Sequence, residues 1–185
     1  MRLRLAMTVL ACLVAACAPT TAFIFQRYVH PSYRPNDIAL AGASGELWTE
    51  VVGNPFPVPK PAFDRAVTRA MHAAHFGPAT NFTTNPVAQG RFRVRLVFNA
   101  DALSGRTRFC VGPPPAVAPR PSGGEVSLSA AFCQGDRALT FLNARASGFS
   151  GPDDPRFARF MSNVTMQLFP SRNNQQLRNN NCFTC

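Results

Sequence analysis

Residues 91–98 alternate, with Phe92, Val94, Leu96 and Phe98 on one side of an extended chain and Arg91, Arg93 and Arg95 on the other. A period of two is strand geometry, and its split into an aromatic and a cationic side predicts one face in a core and one in water. A strand with such a face needs paired neighbours and an apolar layer over it, which commits the chain to a covered sheet. The rest of the sequence supplies both. Residues 46–52 alternate as well, Leu47, Thr49 and Val51 against Glu46, Trp48, Glu50 and Val52. Residues 53–59 (GNPFPVP) break that strand, because each proline removes a ladder donor. Residues 126–132 and 138–146 read as two more strands joined by a hairpin turn over 133–137.

Phe63, Ala66, Val67, Ala70, Met71 and Ala74 recur at helical spacing, Pro61 suits a first turn, and Gly77 stands where a left-handed cap would close the helix. A second helix follows Asp153 or Asp154 as cap and Pro155 as first residue, with Phe157, Phe160, Met161, Val164 and Leu168 as its apolar stripe and Pro170 beyond its end. The order β-α-β-β-β-α predicts an α+β domain over residues 45–170: a four-stranded mixed sheet with two helices on one face. The strands 46–52 and 91–98, separated by a helix, are expected to run parallel through a right-handed crossover.

The N-terminus sets the destination. Arg2 and Arg4 precede an uninterrupted small-apolar run from 5 to 16, and Cys17 follows. That run, about 12 residues, is too short for the roughly 20 that a helix needs to cross the hydrocarbon core, but it suits an export signal. Val14-Ala15-Ala16-Cys17 resembles the lipobox of bacterial lipoproteins. The resemblance implies a signal peptide over 1–16, cleavage before Cys17, and acyl chains on that cysteine as a membrane anchor. Ala18, rather than an aspartate of the inner-membrane retention kind, implies the outer membrane, facing the periplasm. An ordinary signal cut after Ala16 or Ala18 is the alternative. Residues 17–44, with Pro19, Pro31, Pro35 and Gly42, read as the lipidated cysteine and a tether, although the cluster Phe23, Ile24, Phe25 and Tyr28 within them is expected to dock on the domain or, as the alternative, on the membrane surface next to the lipid. Residues 171–185 read as a disordered Asn-rich tail. The element order also resembles that of small α+β envelope-assembly lipoproteins, a likeness of arrangement and not of function.

Eighteen arginines and a single lysine, Lys60, face nine acidic residues, for a net charge of +10. A basic exported chain meets phospholipid headgroups, lipopolysaccharide phosphates or cell-wall acids, while its compartment disfavours nucleic acid. After Cys17 there remain Cys110, Cys133, Cys182 and Cys185. An even number in an oxidising compartment points to disulfides; proximity favours Cys110 with Cys133 and Cys182 with Cys185.

The candidate binding surfaces are an exposed strand edge, for a protein partner, and the arginine face. Arg91, Arg93 and Arg95, with Trp48 nearby, present planar forks suited to phosphate. The competing reading pairs them with Glu46 and Glu50 across the sheet, with Trp48 stacked on a guanidinium. His72 and His75 stand three apart on the predicted helix, but no HExxH pattern or third ligand accompanies them, so no metal is expected. The Cys182-Phe183-Thr184-Cys185 ending has thioredoxin-like spacing without the strand and helix that activate such a pair. Residues 148–151 (GFSG) lack the spacing of a serine-hydrolase elbow. No catalytic residue and no cofactor are expected. The reading is a non-enzymatic, lipid-anchored envelope protein that binds or stabilises a periplasmic or outer-membrane partner. The alternatives are a binder of anionic lipid or lipopolysaccharide through the arginine face, and an envelope hydrolase or thiol oxidoreductase.

Overall fold

The structure, a computed structural model, describes residues 22–72, 74–100, 105–117 and 124–172. The expected strands and helices are present, within an α+β fold larger than anticipated. In chain order the elements are β1 (Ala22–Val29), α1 (Asp37–Ala41), β2 (Glu46–Val52), α2 (Lys60–Met71), β3 (Asn81–Thr83), β4 (Phe92–Phe98), β5 (Val126–Gln134), β6 (Arg137–Ala146) and α3 (Pro155–Leu168). Among the described residues the sheet has six strands rather than four, in the order β1-β6-β5-β4-β2-β3. β2 pairs in parallel with β3 and β4, as strands joined through a helix should, and the remaining pairs are antiparallel.

The segment read as a tether is part of the domain. β1 adds to the edge of β6, Ile24 and Tyr28 pack against the two buried clusters while Phe23 stays exposed, and Tyr33 and Ile38 are fully buried. The Tyr33 hydroxyl donates to the Pro170 carbonyl at 2.9 Å, tying this segment to the chain just after α3. The alternation that would have marked β1 is broken by a register shift between Phe25 and Tyr28.

Helices α2 and α3 cover one face, as their stripes require. Phe63, Val67 and Met71 from α2 and Phe157, Phe160, Met161 and Val164 from α3 form one cluster with Val94, Leu96 and Phe98 of β4 and Leu128, Ala130 and Phe132 of β5. Much of the chain's phenylalanine is spent here; Phe63 meets Phe98 edge-on at 4.9 Å and Phe56 meets Phe157 at 5.2 Å. Helix α2 stops at Met71, and Gly77 is not its cap. The Ala70 carbonyl, which another turn would use, accepts instead from the Ser162 hydroxyl of α3 at 3.0 Å.

The opposite face is not wet. Val97, Phe109, Cys110, Ala131, Cys133 and Phe141 form a second buried cluster under the segment 105–117. A Cys110–Cys133 disulfide fastens that segment to β5. The expectation of a solvated arginine face fails because this loop covers it. Cys17, Cys182 and Cys185 lie outside the described residues.

Strand directions define two ends of the molecule. β1 and β5 run one way, and β2, β3, β4 and β6 the other. One end gathers the start of β1 and the finishes of β6 and β2. The other gathers the finish of β1, the β5–β6 turn and the start of β4.

Candidate functional site

The arginine row of β4 splits into three different environments. Arg95 registers with Glu50 of β2 and is 4% exposed. Its Nε donates to Glu50 Oε2 at 2.6 Å, its Nη1 to the Phe109 carbonyl at 2.7 Å and its Nη2 to the Gly112 carbonyl at 2.9 Å. The planar fork is fully used, partly on a carboxylate as expected and partly on a loop that the sequence did not place there. Arg93, half-buried, donates to the Gly135 carbonyl at 3.0 Å and to that of Cys110, while its Nε is buried without a partner. Burial first, then the neighbouring Arg95 charge, lowers its pKa. Trp48 registers with Thr83 of β3, and the cation–π contacts among the described residues belong to other aromatics, such as Arg106 over Tyr28 at 4.2 Å.

Only Arg91 of the three keeps an exposed side chain. With the Gln134 amide turned to satisfy its neighbours, Arg91 donates to it at 3.0 and 3.2 Å. These two residues and Gly135, Asp136 and Arg137 line an open hollow beside the β5–β6 turn. Gly135 reaches the left-handed conformation such a turn needs (φ 56°).

A second site was not legible in the sequence. Beyond α2 the chain carries His72, His75 and Phe76 alongside α3, and they line a cleft of about 330 Å³ with Ser162 and Met166. Phe76 and Met166 also line an adjoining cleft of about 240 Å³ with Arg27, Val29, Gln167 and Arg172. Phe76 is 63% exposed and Met166 43%. These two exposed apolar side chains are shared by the adjoining clefts, the second of which is also lined by Arg27 and Arg172.

His72 and His75 do not share a helix face, because α2 ends before them. His72 is exposed, and the His75 ring packs against Phe82 and Phe169 at 5.7 Å each. His75 Nδ1 lies 3.0 Å from the Phe76 carbonyl and must donate to it, which leaves a buried Nε2 without a partner. Among the described residues no group of three or more potential metal ligands converges.

The most perturbed ionisable groups are structural. Asp154 caps α3, accepting from the Arg156 amide at 2.8 Å, from the Ser150 amide and hydroxyl at 3.0 and 3.1 Å, and from Arg156 Nη2 at 2.7 Å. These bonds, that to the Arg156 side chain foremost, hold its carboxyl well below the usual range. Burial, with a smaller effect from Asp37, pushes the Tyr33 phenol up.

No protein-family model matches the chain, and no curated protein does. Among solved structures, it is similar to the PelC dodecamer from Paraburkholderia phytofirmans at a TM-score of 0.45 and 9% identity, over 82% of this chain and 100% of that one. A variant of the same dodecamer in another crystal form gives 0.43 and 9%, with the same coverage. Likeness at this level carries no argument about function.

Proposed function

We propose that the chain is a lipid-anchored envelope protein, held through acyl chains on Cys17 at the periplasmic side of the outer membrane, where it binds or stabilises an envelope partner without catalysing a reaction. The observation that carries this reading is the basic, short apolar leader ending in Val14-Ala15-Ala16-Cys17. The disulfide between Cys110 and Cys133 suits an oxidising compartment. The exposed Phe76 and Met166 give a partner apolar contacts at the end of the molecule where β1 finishes, opposite the end at which the anchor enters.

Intact mass of the membrane-fraction protein, with Cys17→Ala as control, tests the anchor. Cleavage before Cys17 with added acyl chains is the expected result, and an unlipidated mature chain overturns it. A photoreactive residue at Phe76 should then capture an envelope protein in living cells.

The hollow beside Arg91 and Arg137 favours a second reading, anion binding at the β5–β6 turn rather than along the whole arginine row. Salt-sensitive binding to lipopolysaccharide or anionic lipid, lost in Arg91→Ala with Arg137→Ala, would support it. Replacing Arg93 and Arg95 is a poor test, since both hold backbone carbonyls.

A further inference from the structure

We infer that the start of β1 lies on the bilayer itself, with Phe23 and Phe25 resting among the headgroups of the leaflet that receives the acyl chains of Cys17. The inference rests on the anchoring reading above. Strand β1 begins at Ala22, and a trans chain extends at most about 3.6 Å per residue, so the first strand residue can stand no more than roughly 18 Å from the acylated cysteine. The headgroup layer on each side of the hydrocarbon core is about 5–8 Å deep. A domain so tied has little room to float clear of the surface, and the part of it nearest the anchor is the start of β1.

That part of the domain carries an apolar feature its position explains. Phe23 is 64% exposed. In the unbroken first half of β1 it shares a face with Phe25, since side chains two apart in a strand point the same way. Arg145 of β6 registers with Phe23, and its guanidinium lies 6.0 Å from the Phe25 ring, with Glu125 4.0 Å from the same arginine. Two phenylalanines beside an arginine at the tethered corner match what a membrane interface receives: apolar rings inward and a cationic head at the phosphates. The occupant is thus a lipid surface rather than a protein, because the anchor delivers the bilayer to this corner.

The chain's single tryptophan makes the test direct. Trp48 lies near the start of β2, which runs opposite to β1 and stands four strands away, so it occupies the diagonally opposite corner. Acylated full-length protein would be placed on vesicles of phosphatidylethanolamine and phosphatidylglycerol, with and without lipids brominated along the acyl chain. The expected result is a blue-shifted, bromine-quenched indole in Phe23→Trp/Trp48→Phe and an unquenched Trp48 in the wild type. Phe25→Trp/Trp48→Phe repeats the measurement from the neighbouring position. Acylated protein whose introduced indoles remain unquenched, or wild type quenched at Trp48, overturns the placement and leaves the anchor standing. A mass without acyl chains overturns the anchor, and the placement falls with it.

Discussion

Asp154 does three jobs with one carboxylate: it caps α3, pins Ser150 in the preceding turn and holds Arg156. Losing an N-cap carboxylate costs about 1 kcal/mol in most helices, and Asp154→Ala should cost at least that in urea unfolding, because the Ser150 bonds are lost as well. The pH dependence has a definite sign. Since the folded carboxyl titrates below its unfolded value, its contribution is complete above about pH 4 and declines as pH falls toward the folded pKa. The stability gap between wild type and Asp154→Asn should therefore be constant near neutrality and close on acidification. Arg95 is the other residue whose environment decides its role. Removing one partner of a buried pair leaves the other unpaired, at about 3–5 kcal/mol. Arg95→Ala strands Glu50 and the carbonyls of Phe109 and Gly112, so a loss of about 3 kcal/mol is expected. Arg95→Lys should recover only part, for an ammonium cannot reproduce the fork. The sequence allowed the Glu50 partnership to be anticipated, but not the carbonyls, because no local pattern says that a loop will fold back over an arginine 14 and 17 residues before the two carbonyls it supplies.

At the scale of elements, the segment 105–117 turns a two-layer domain into a three-layer one, and its covalent fastening is Cys110–Cys133, 23 residues apart in sequence. In the chain-entropy model, closing a loop of that size stabilises by about 3 kcal/mol. Cys110→Ser with Cys133→Ser should lose a comparable amount, and amide exchange should accelerate in 105–117 before it does in β4. Gly53 tests the other side of the sheet. It ends β2 at φ 79°, and a Cβ there would stand 2.4 Å from the Phe98 carbonyl oxygen of β4. Gly53→Ala combines left-handed strain with a backbone clash, and a loss of about 2 kcal/mol or more is expected on thermal unfolding. The elements legible in the sequence are those with sustained periodicity: β2, β4, β5, β6 and the two long helices, with Asp154 and Pro155 marking one start. The missed ones lack it for physical reasons. β1 has a register shift in its middle, α1 is five residues long and β3 three, so none repeats enough to show a period. The dry second face left one trace, Val97, an apolar residue on the arginine side. The Cys133 register with Arg93 would have made it decisive, since a disulfide partner for Cys133 must lie over that same face.

For the whole molecule, strand direction converts the proposed anchor into an orientation. The start of β1 is at one end, and the two clefts and the hollow are at the other: Phe76 beyond α2, Met166 near the finish of α3, Arg27 and Val29 near the finish of β1, and Arg91 and Arg137 at the β5–β6 turn. The connectivity requires this. Helix α2 carries the chain from the finish of β2 back to the start of β3, and α3 carries it from the finish of β6 to Leu168, whose carbonyl accepts from Thr140 near the start of β6 at 2.7 Å. Both helices deliver their C-terminal residues to the end away from the start of β1, so a domain seated on a membrane at the start of β1, as proposed, would present the paired clefts away from that membrane. A photoreactive residue placed in turn at Phe23 and at Phe76 should therefore sort its targets by class in intact cells. The Phe23 position should label lipid, read as a mass increment on the protein, while the Phe76 position labels protein, read as a discrete slower band. Both positions should lose their targets in Cys17→Ala, because the orientation is imposed by the anchor and not by either surface alone. Equal labelling of protein from both positions would mean that the domain tumbles freely on its anchor, and the polarity built into the strand order would then have no bearing on what it binds.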